Sequence, residues 1–168
     1  LRWAPWVGRL LQMLVACCLV DRSRALTSRL FGNRSGILAG WLLACSPLLH
    51  RWDTSIVSGI PSALALVMAL LAWLPSENKP AAYREGGRGM EQVKAGAWLG
   101  LAVLIKYQLV VSAAVLLVCL PLLEARMGNR WRRAATRILA GFMPCLLLQC
   151  LLDQWAYGTF GSTLLPYL

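Results

Sequence analysis

The sequence predicts an all-α protein, a polytopic transmembrane helical bundle. The first observation is composition: 58% of the 168 residues are hydrophobic and 14% are charged, whereas soluble domains are normally about half apolar. The second is a pattern of apolar runs separated by short polar segments. The third is the position of Trp6, Trp73 and Trp131 near the ends of these runs, where indole rings favour the membrane interface. The lipid bilayer is therefore an expected partner.

The apolar runs mark the expected helices in chain order. They cover residues 6–20, 36–49, 56–74, 95–105, 109–123 and 138–152. Several are shorter than the ~20 residues of a perpendicular crossing, so we expect short helices held inside a bundle. Residues 1–168 are predicted to form a single partial transmembrane domain with about four full crossings and a short hairpin. The chain opens without Met, and we expect it to be part of a longer protein.

The stretch 95–123 is the predicted hairpin, with short re-entrant or hairpin helices. As one helix it would be ~44 Å long, too long for one crossing of ~30 Å and too short for two. The polar triplet Lys106-Tyr107-Gln108 interrupts it. A turn there would place the basic segments 75–94 and 124–137 on the same side, as the distribution of positive charge in membrane proteins requires.

Charge sets the expected orientation. The chain has 17 Lys and Arg against 7 Asp and Glu, and most of the cations lie in segments 21–34, 75–94 and 124–137. They do not form a continuous basic stripe, so no nucleic-acid partner is expected. We predict a multi-pass protein of a bacterial plasma membrane, with these segments cytoplasmic and the N-terminus outside. The polar clusters 50–54, 106–108 and 153–158 would then share one external surface.

Segment 21–34, "DRSRALTSRLFGNR", allows two interpretations. Its apolar residues recur at roughly helical spacing, so it could be a short amphipathic helix along the cytoplasmic interface. It could equally be a solvated connector closed by Gly32.

Lys106 is the first candidate binding residue. An ammonium flanked by "GLAVLI" and "YQLVV" costs roughly 2.5–3.5 kcal/mol at the centre of a membrane helix unless it is paired or reaches water. A phosphate or pyrophosphate would be a suitable partner, because Lys binds phosphate as a point charge. The alternative is a lysine that extends from a turn towards the interface.

Asp153 and Tyr157 are candidates at the end of the last run. An acid where a helix leaves the membrane, followed by Tyr157, Gly158 and Gly161, supplies hydrogen-bonding groups on a bendable backbone, as a sugar site needs. The alternative is an ordinary helix end and turn.

Two further charged residues are candidates near the predicted external face. Arg9 lies about one turn inside the first run, where it could bind an anionic headgroup or simply anchor the helix. Asp53 could be an acid of the same pocket or could pair with neighbouring Arg51. His50 is the single histidine, and a structural role is favoured over a functional one.

Several chemistries have no sequence support. The six Cys lie in or beside apolar runs without metal-ligand spacing, which favours small packing residues over a zinc or redox site. A serine–histidine–acid set, a nucleotide-binding loop and a carboxylate pair suited to hydrolysis are also missing from the sequence. No cofactor is evident, and a divalent cation stays open.

Three elements, in order, resemble membrane glycosyltransferases of the GT-C superfamily. The first is an Arg-Leu-rich helix with a basic "RLFG" connector and a helix ending in "SP". The second, "AGAWLGLAVLIK", is similar to the family segment G-x-x-x-G-L-A-x-L-x-K/R, through Gly96, Gly100 and Lys106. The third, "DQWAYG", is similar to the D-x-x-x-Y-G element of the mannosyltransferase-like branch, through Asp153 and Tyr157.

The resemblance implies sugar transfer from a polyprenyl-phosphate-linked donor to an acceptor that the sequence does not specify. The family reaction is an inverting displacement at the extracytoplasmic face, assisted by an acidic base in the first external loop. Here the sequence begins at the family's second helix, so we expect the catalytic acid upstream of these residues and expect the chain alone to be inactive. Lys106, Arg9, Asp153, Tyr157 and Asp53 are then binding rather than catalytic candidates.

Two other classes fit parts of the sequence. A transporter segment would also collect ionisable residues inside a bundle, but it usually shows repeat symmetry and broken helices. A non-catalytic membrane scaffold is the other alternative.

Overall fold

The computed structural model describes residues 4–46, 58–74, 88–125 and 131–159, and all regular structure in these ranges is helical. The all-α prediction is therefore confirmed. The helices are α1 (Ala4–Phe31), α2 (Asn33–Ala44), α3 (Gly59–Trp73), α4 (Arg88–Ile105), α5 (Val110–Ala125) and α6 (Trp131–Tyr157), with a 3-10 turn at Tyr107–Leu109. The chain divides into two compact units, unit 1 (Leu1–Leu71) and unit 2 (Ala72–Leu168).

α1 extends well beyond the first apolar run, because it continues through the polar residues 21–31. Residues 21–31 are helical, as the first interpretation of segment 21–34 expected, but they continue α1 and do not form a separate short helix. Gly32 then ends the helix with φ 90°, a conformation that glycine adopts without steric cost. Its N–H donates to the Ser28 carbonyl at 3.0 Å, and α2 begins at the next residue.

α2 folds back along the end of α1. A Cβ on Gly36 would overlap the Ser28 hydroxyl, and one on Gly40 would lie 3.3 Å from Arg24 Cβ. Residues later in α2 thus meet residues earlier in α1, so the two helices are antiparallel. The glycines allow this close approach because they carry no side chain.

α3 packs on α1 through a small apolar core. Ile60, 2% exposed, clusters with the buried Ala16 and Leu19. Further along both helices, Arg29 Nη1 donates to the Leu71 carbonyl at 3.3 Å, a favourable position for a cation at a helix C-terminus. Because the contacts advance in the same direction, α1 and α3 are parallel. Full burial of an isoleucine side chain contributes about 1.5–3 kcal/mol.

In unit 2, α4 and α6 lie side by side and are also parallel. Gly89, at the start of α4, faces the Arg137 guanidinium, and Gly100, near its end, faces Cys145. The contacts therefore advance together along both helices. For α4 and α6 to be parallel, the chain between them must reverse direction, and α5 lies in that interval.

Glycines set the close packing of α4 on α6. A Cβ on Gly96 would overlap the Ile138 carbonyl oxygen, and one on Gly141 would overlap the Val93 carbonyl oxygen. Gly96 and Gly100 form a small-xxx-small pattern, which lets membrane helices bring their backbones together. The G-x-x-x-G element of the sequence thus has a structural role on the α6-facing side of α4.

The helices of unit 2 exceed their predicted bounds. The apolar runs placed helix starts at residues 95 and 138, but α4 begins at Arg88 and α6 at Trp131. The assignment of 88–94 and 131–137 to loops is therefore wrong. Ala, Arg, Glu, Gln and Lys are good helix formers, so these polar turns extend the helices. α6 also continues past residue 152 to Tyr157.

α6 is the one helix within the described ranges that is long and apolar enough to cross a bilayer. Gly59–Trp73 and Tyr107–Leu123 are apolar but shorter. Large apolar side chains are exposed along several helices, among them Leu14 on α1, Val115 on α5 and Leu151 on α6. Extended apolar surfaces of this kind contact lipid or other protein.

Candidate functional site

Lys106 interrupts the helical path between α4 and α5. Its backbone is extended, with φ −144° and ψ 93°. Its N–H still donates to the Ala102 carbonyl at 3.0 Å, and its own carbonyl accepts from the Leu109 N–H at 2.9 Å. The residue therefore ends α4 and at the same time opens the 3-10 turn that leads into α5. Its side chain is half-buried.

The break has no glycine or proline to cause it. The nearest such residues are Gly100, before it, and Pro121, after it, whereas kinks in helices usually occur at Pro, Gly or an inserted turn. The polar triplet Lys106-Tyr107-Gln108 within an apolar run is the sequence feature that coincides with the break. Tyr107 and Gln108 are both exposed, so the break also brings polar groups to the surface.

Lys106 lies beside a helix N-terminus. The 3-10 turn at Tyr107–Leu109 passes directly into α5, with the Val110 N–H donating to the Tyr107 carbonyl. The beginning of a helix carries about half a positive charge, so the Lys106 ammonium adds to an existing positive potential. No hydrogen bond or ion pair of its side chain is seen to another described residue. This arrangement can bind an anion.

Asp153 lies inside unit 2. It is 2% exposed and belongs to α6 rather than to a loop after it. Its Oδ1 accepts a hydrogen bond from Gln149 Nε2 at 3.0 Å, one helical turn earlier. A buried carboxylate requires such donors, because burial without them costs several kcal/mol. The carboxylate is thus held in place by its own helix.

Tyr157 has a different environment from Asp153, although both lie on α6. Its side chain is 66% exposed. Gly158 ends the helix with φ 69° and donates its N–H to the Gln154 carbonyl at 3.0 Å. The polar stretch 153–157 is therefore the last turn of a helix, in which Asp153 is buried and residues 154–157 are exposed.

The parallel register places Lys106 and Asp153 at the same end of unit 2. Arg137 Nη1 donates to Gln92 Oε1 at 3.4 Å across a separation of 45 residues. With the same separation of 45 residues along both helices, Lys106 lies beside Leu151, which is two residues before Asp153. Arg137 and Asp153 are about 24 Å apart along α6, at 1.5 Å per residue.

The opposite end of unit 2 is basic. Lys94, Arg132, Arg133 and Arg137 are exposed there, and the Arg132 guanidinium lies 5.5 Å from the centre of the Trp131 ring. A tryptophan next to arginines at the start of an apolar helix is typical of a membrane interface. Unit 2 thus has a basic end and, about one bilayer thickness away, an end with Lys106 and Asp153.

Of the remaining candidates, Arg9 lies within the described residues and Asp53 and His50 do not. Arg9 belongs to unit 1, where it is exposed and its guanidinium lies 5.5 Å from the Trp6 ring centre. This contact fits the anchoring interpretation as well as it fits headgroup binding. Asp53 and His50, like the whole cluster 50–54, lie outside the described residues.

The described residues contain no group of three or more His, Cys, Asp or Glu side chains that could hold a metal ion. The cysteines are all free, and Cys150 is the buried one, three residues before Asp153.

Three structural features were not predicted from the sequence. Gln149 was detectable, because Gln and Asp four residues apart on a helix form hydrogen bonds. The Gln92–Arg137 pair was not, since it joins helices that are distant in sequence. Gly141 gave no signal without the structure, because its role depends on the backbone of α4.

The sequence profile of one family matches most of the chain. Residues 4–148 match the profile of the dolichyl-phosphate-mannose-protein mannosyltransferases. No curated protein and no solved structure gives a significant match. The matched range includes Lys106, whereas Asp153 and Tyr157 follow it. The chain belongs to the dolichyl-phosphate-mannose-protein mannosyltransferase family, a family of membrane glycosyltransferases of the GT-C type.

Proposed function

We propose that this chain is part of an enzyme that transfers a sugar from a polyprenyl-phosphate-linked donor at the extracytoplasmic face of a bacterial plasma membrane. Within it, the Lys106 end of unit 2 binds the phosphate of the carrier. Family membership supports glycosyl transfer. The observation that carries the phosphate role is the position of Lys106 at a helix break within an apolar stretch.

The charge of Lys106 has an energetic cost. A lysine costs roughly 2.5–3.5 kcal/mol at the centre of a membrane helix and less near its end, and no partner among the described residues offsets the cost that remains for the half-buried Lys106. A phosphate would. Broken membrane helices direct the positive ends of their half-helices at anionic substrate groups, and α5 begins immediately after Lys106. The ammonium and the N-terminus of α5 would then act on the same phosphate.

The other candidates receive supporting roles in this proposal. Asp153 accepts a hydrogen bond from Gln149 and is proposed to help shape the pocket that binds the sugar. Tyr157 is exposed and able to reach a sugar or an acceptor. Arg9 and Asp53 are proposed as further binding residues on the basis of the sequence. None of these residues is proposed as the catalytic base.

The proposed orientation follows from the two ends of unit 2. The basic end, with Arg132 and Arg133, faces the cytoplasm, and the Lys106 end faces outward. In unit 1, the contact of Arg29 with the Leu71 carbonyl brings the basic end of α1 next to the end of α3. That arrangement fits a multi-pass protein whose basic segments 21–34 and 75–94 share one side.

The test is transfer kinetics of the full-length enzyme with varied lipid-linked donor. Lys106→Met should raise the donor KM about ten- to a hundred-fold, because a hydrogen bond to a charged group contributes about 1.5–3 kcal/mol. Lys94→Met is the matched control: it removes an exposed lysine from the first half of α4, twelve residues before Lys106, and should leave the donor KM within about two-fold. An unchanged donor KM in Lys106→Met, or equal effects of the two variants, would refute the phosphate role.

A further inference from the structure

A cleft of about 430 Å³ lies in unit 1 between the second half of α1 and α2. It is lined by Val20, Arg24, Ile37, Gly40, Trp41 and Ala44. We propose that this cleft binds one anionic phospholipid of the surrounding bilayer, with the phosphate at Arg24 and an acyl chain along the apolar wall. This site belongs to unit 1, whereas Lys106 belongs to unit 2.

Gly40 shapes the cleft. The Cβ, Cγ and Cδ atoms of Arg24 lie 3.3, 3.6 and 3.7 Å from the position that a Cβ on Gly40 would occupy. The aliphatic part of the arginine therefore lies across the glycine, and a larger residue at position 40 would displace it. Trp41, next to Gly40, is 67% exposed, so its ring is available to pack against a ligand.

The cation of the cleft is available for an anion. Arg24 is exposed and makes no hydrogen bond or ion pair with another described residue. Asp21, the acid described in unit 1, lies 3.6 Å from the neighbouring Arg22. The guanidinium of Arg24 can thus donate two parallel hydrogen bonds to a phosphate, the geometry for which arginine is best suited.

The charged and apolar surfaces of the cleft are arranged in the same order as the headgroup and acyl chains of a phospholipid. Because α1 and α2 are antiparallel, Val20 and Ala44 lie on the side of Arg24 that is away from the Gly32 turn. From there the apolar surface continues along the first half of α1, where Leu14 is 64% exposed. The segment near the turn instead carries the exposed cations Arg29 and Arg34. A phospholipid headgroup would lie near the cations, and its acyl chain would lie along the apolar side. Each part of the lipid would then contact a surface of matching polarity.

These features favour a lipid over other occupants. A free phosphate would make no contact with the apolar wall of the cleft. An apolar helix of the protein would leave the Arg24 guanidinium without an anionic partner. Basic residues near a membrane surface contribute about 1 kcal/mol each to the binding of anionic lipids, so preference for an anionic headgroup is the expected signature of the site.

The test is lipid binding to the full-length protein, measured by native mass spectrometry with phosphatidylglycerol and phosphatidylcholine. The intact protein should prefer phosphatidylglycerol, and Arg24→Gln should weaken its binding at least about five-fold. Arg22→Gln is the control, because it removes an equal charge two residues away from outside the cleft lining. It should change binding less than about two-fold. Gly40→Leu should block the cleft while Arg24 is retained.

A photo-reactive phenylalanine analogue in place of Trp41 identifies the occupant directly. The expected product is a lipid adduct, which Arg24→Gln should reduce. Cross-linking to another segment of the protein would show that a helix fills the cleft and would overturn the proposal. Equal losses in Arg24→Gln and Arg22→Gln, or equal affinity for the two lipids, would also overturn it.

Discussion

The charged side chains at the two ends of unit 2 differ in how exposed they are. At the basic end, Lys94, Arg132, Arg133 and Arg137 are exposed, and Arg137 also donates to Gln92. At the other end, Lys106 is half-buried at a helix break, and Asp153 is 2% exposed with Gln149 as its donor. Exposed cations reach water or headgroups at little cost. A half-buried cation requires a partner.

The difference indicates which charges set orientation and which bind. The basic end can be explained by membrane topology alone, because Trp131 and the nearby arginines form an interfacial group. The Lys106 end cannot, since its charged groups are few and are withdrawn from the surface. We therefore propose the binding role for Lys106 and not for the more numerous arginines.

The largest expected effect comes from breaking the helix pair that separates the two ends. Gly141→Leu would push a side chain into the Val93 carbonyl and should lower the free energy of unfolding by about 3 kcal/mol, since overpacking a tight contact forces backbone shifts. Gly89→Ala is the control, because its nearest neighbour is the movable Arg137 guanidinium. Thermal unfolding of the full-length protein in detergent measures both. Similar unfolding midpoints would contradict the glycine packing.

A smaller effect is expected at Asp153. Asp153→Leu removes the acceptor of the Gln149 hydrogen bond and should destabilise the protein by about 2 kcal/mol, because hydrogen bonds to charged groups contribute about 1.5–3 kcal/mol. Asp153→Asn keeps an acceptor oxygen and should cost less than about 1 kcal/mol. The same unfolding measurement separates the two. Equal stability of both variants would show that the hydrogen bond does not hold the acid.

Activity distinguishes the role of Asp153 from that of Lys106. Asp153→Asn keeps the shape of the side chain and changes its charge, so it should reduce turnover or acceptor use more than donor affinity. Transfer kinetics with each substrate varied in turn measure this difference. Unchanged kinetics in Asp153→Asn would contradict a role of Asp153 in transfer and would indicate that residues 153–157 are an ordinary helix end.

The smallest expected effect lies at the basic end. Arg137→Gln loses a long hydrogen bond of 3.4 Å from an exposed side chain, and exposed substitutions usually change stability within about 0.5 kcal/mol. Donor affinity should also be unchanged. A large loss of donor affinity in this variant would remove the distinction between the two ends.

The two helix breaks show how far the sequence could predict the fold. Gly32 closes α1 with a positive φ, and the sequence marked it as a possible boundary because glycine adopts that conformation. The break at Lys106 has no such residue, and only the polar triplet within an apolar run indicated it. Both positions were predictable, although for different physical reasons.

Packing and burial were less predictable. An apolar run marks residues whose side chains avoid water. Helix boundaries predicted from such runs therefore left out the polar first turns of α4 and α6. The burial of Asp153 depends on the neighbouring helices, and its position at the end of an apolar run suggested exposure instead. The charge pattern predicted that Lys106 and Asp153 lie at one end, but the glycine contacts that set the register of α4 on α6 are not visible in a single sequence.

The most direct test of the account is the sidedness of unit 2. Single cysteines at positions 132 and 157, both exposed, are introduced into a cysteine-free version of the full-length protein. They are then labelled in intact cells with a membrane-impermeant maleimide. The account predicts labelling at 157 in intact cells and at 132 only after permeabilisation. Labelling of both positions from the same side would contradict the opposed ends, and with them the placement of Lys106 at the donor face.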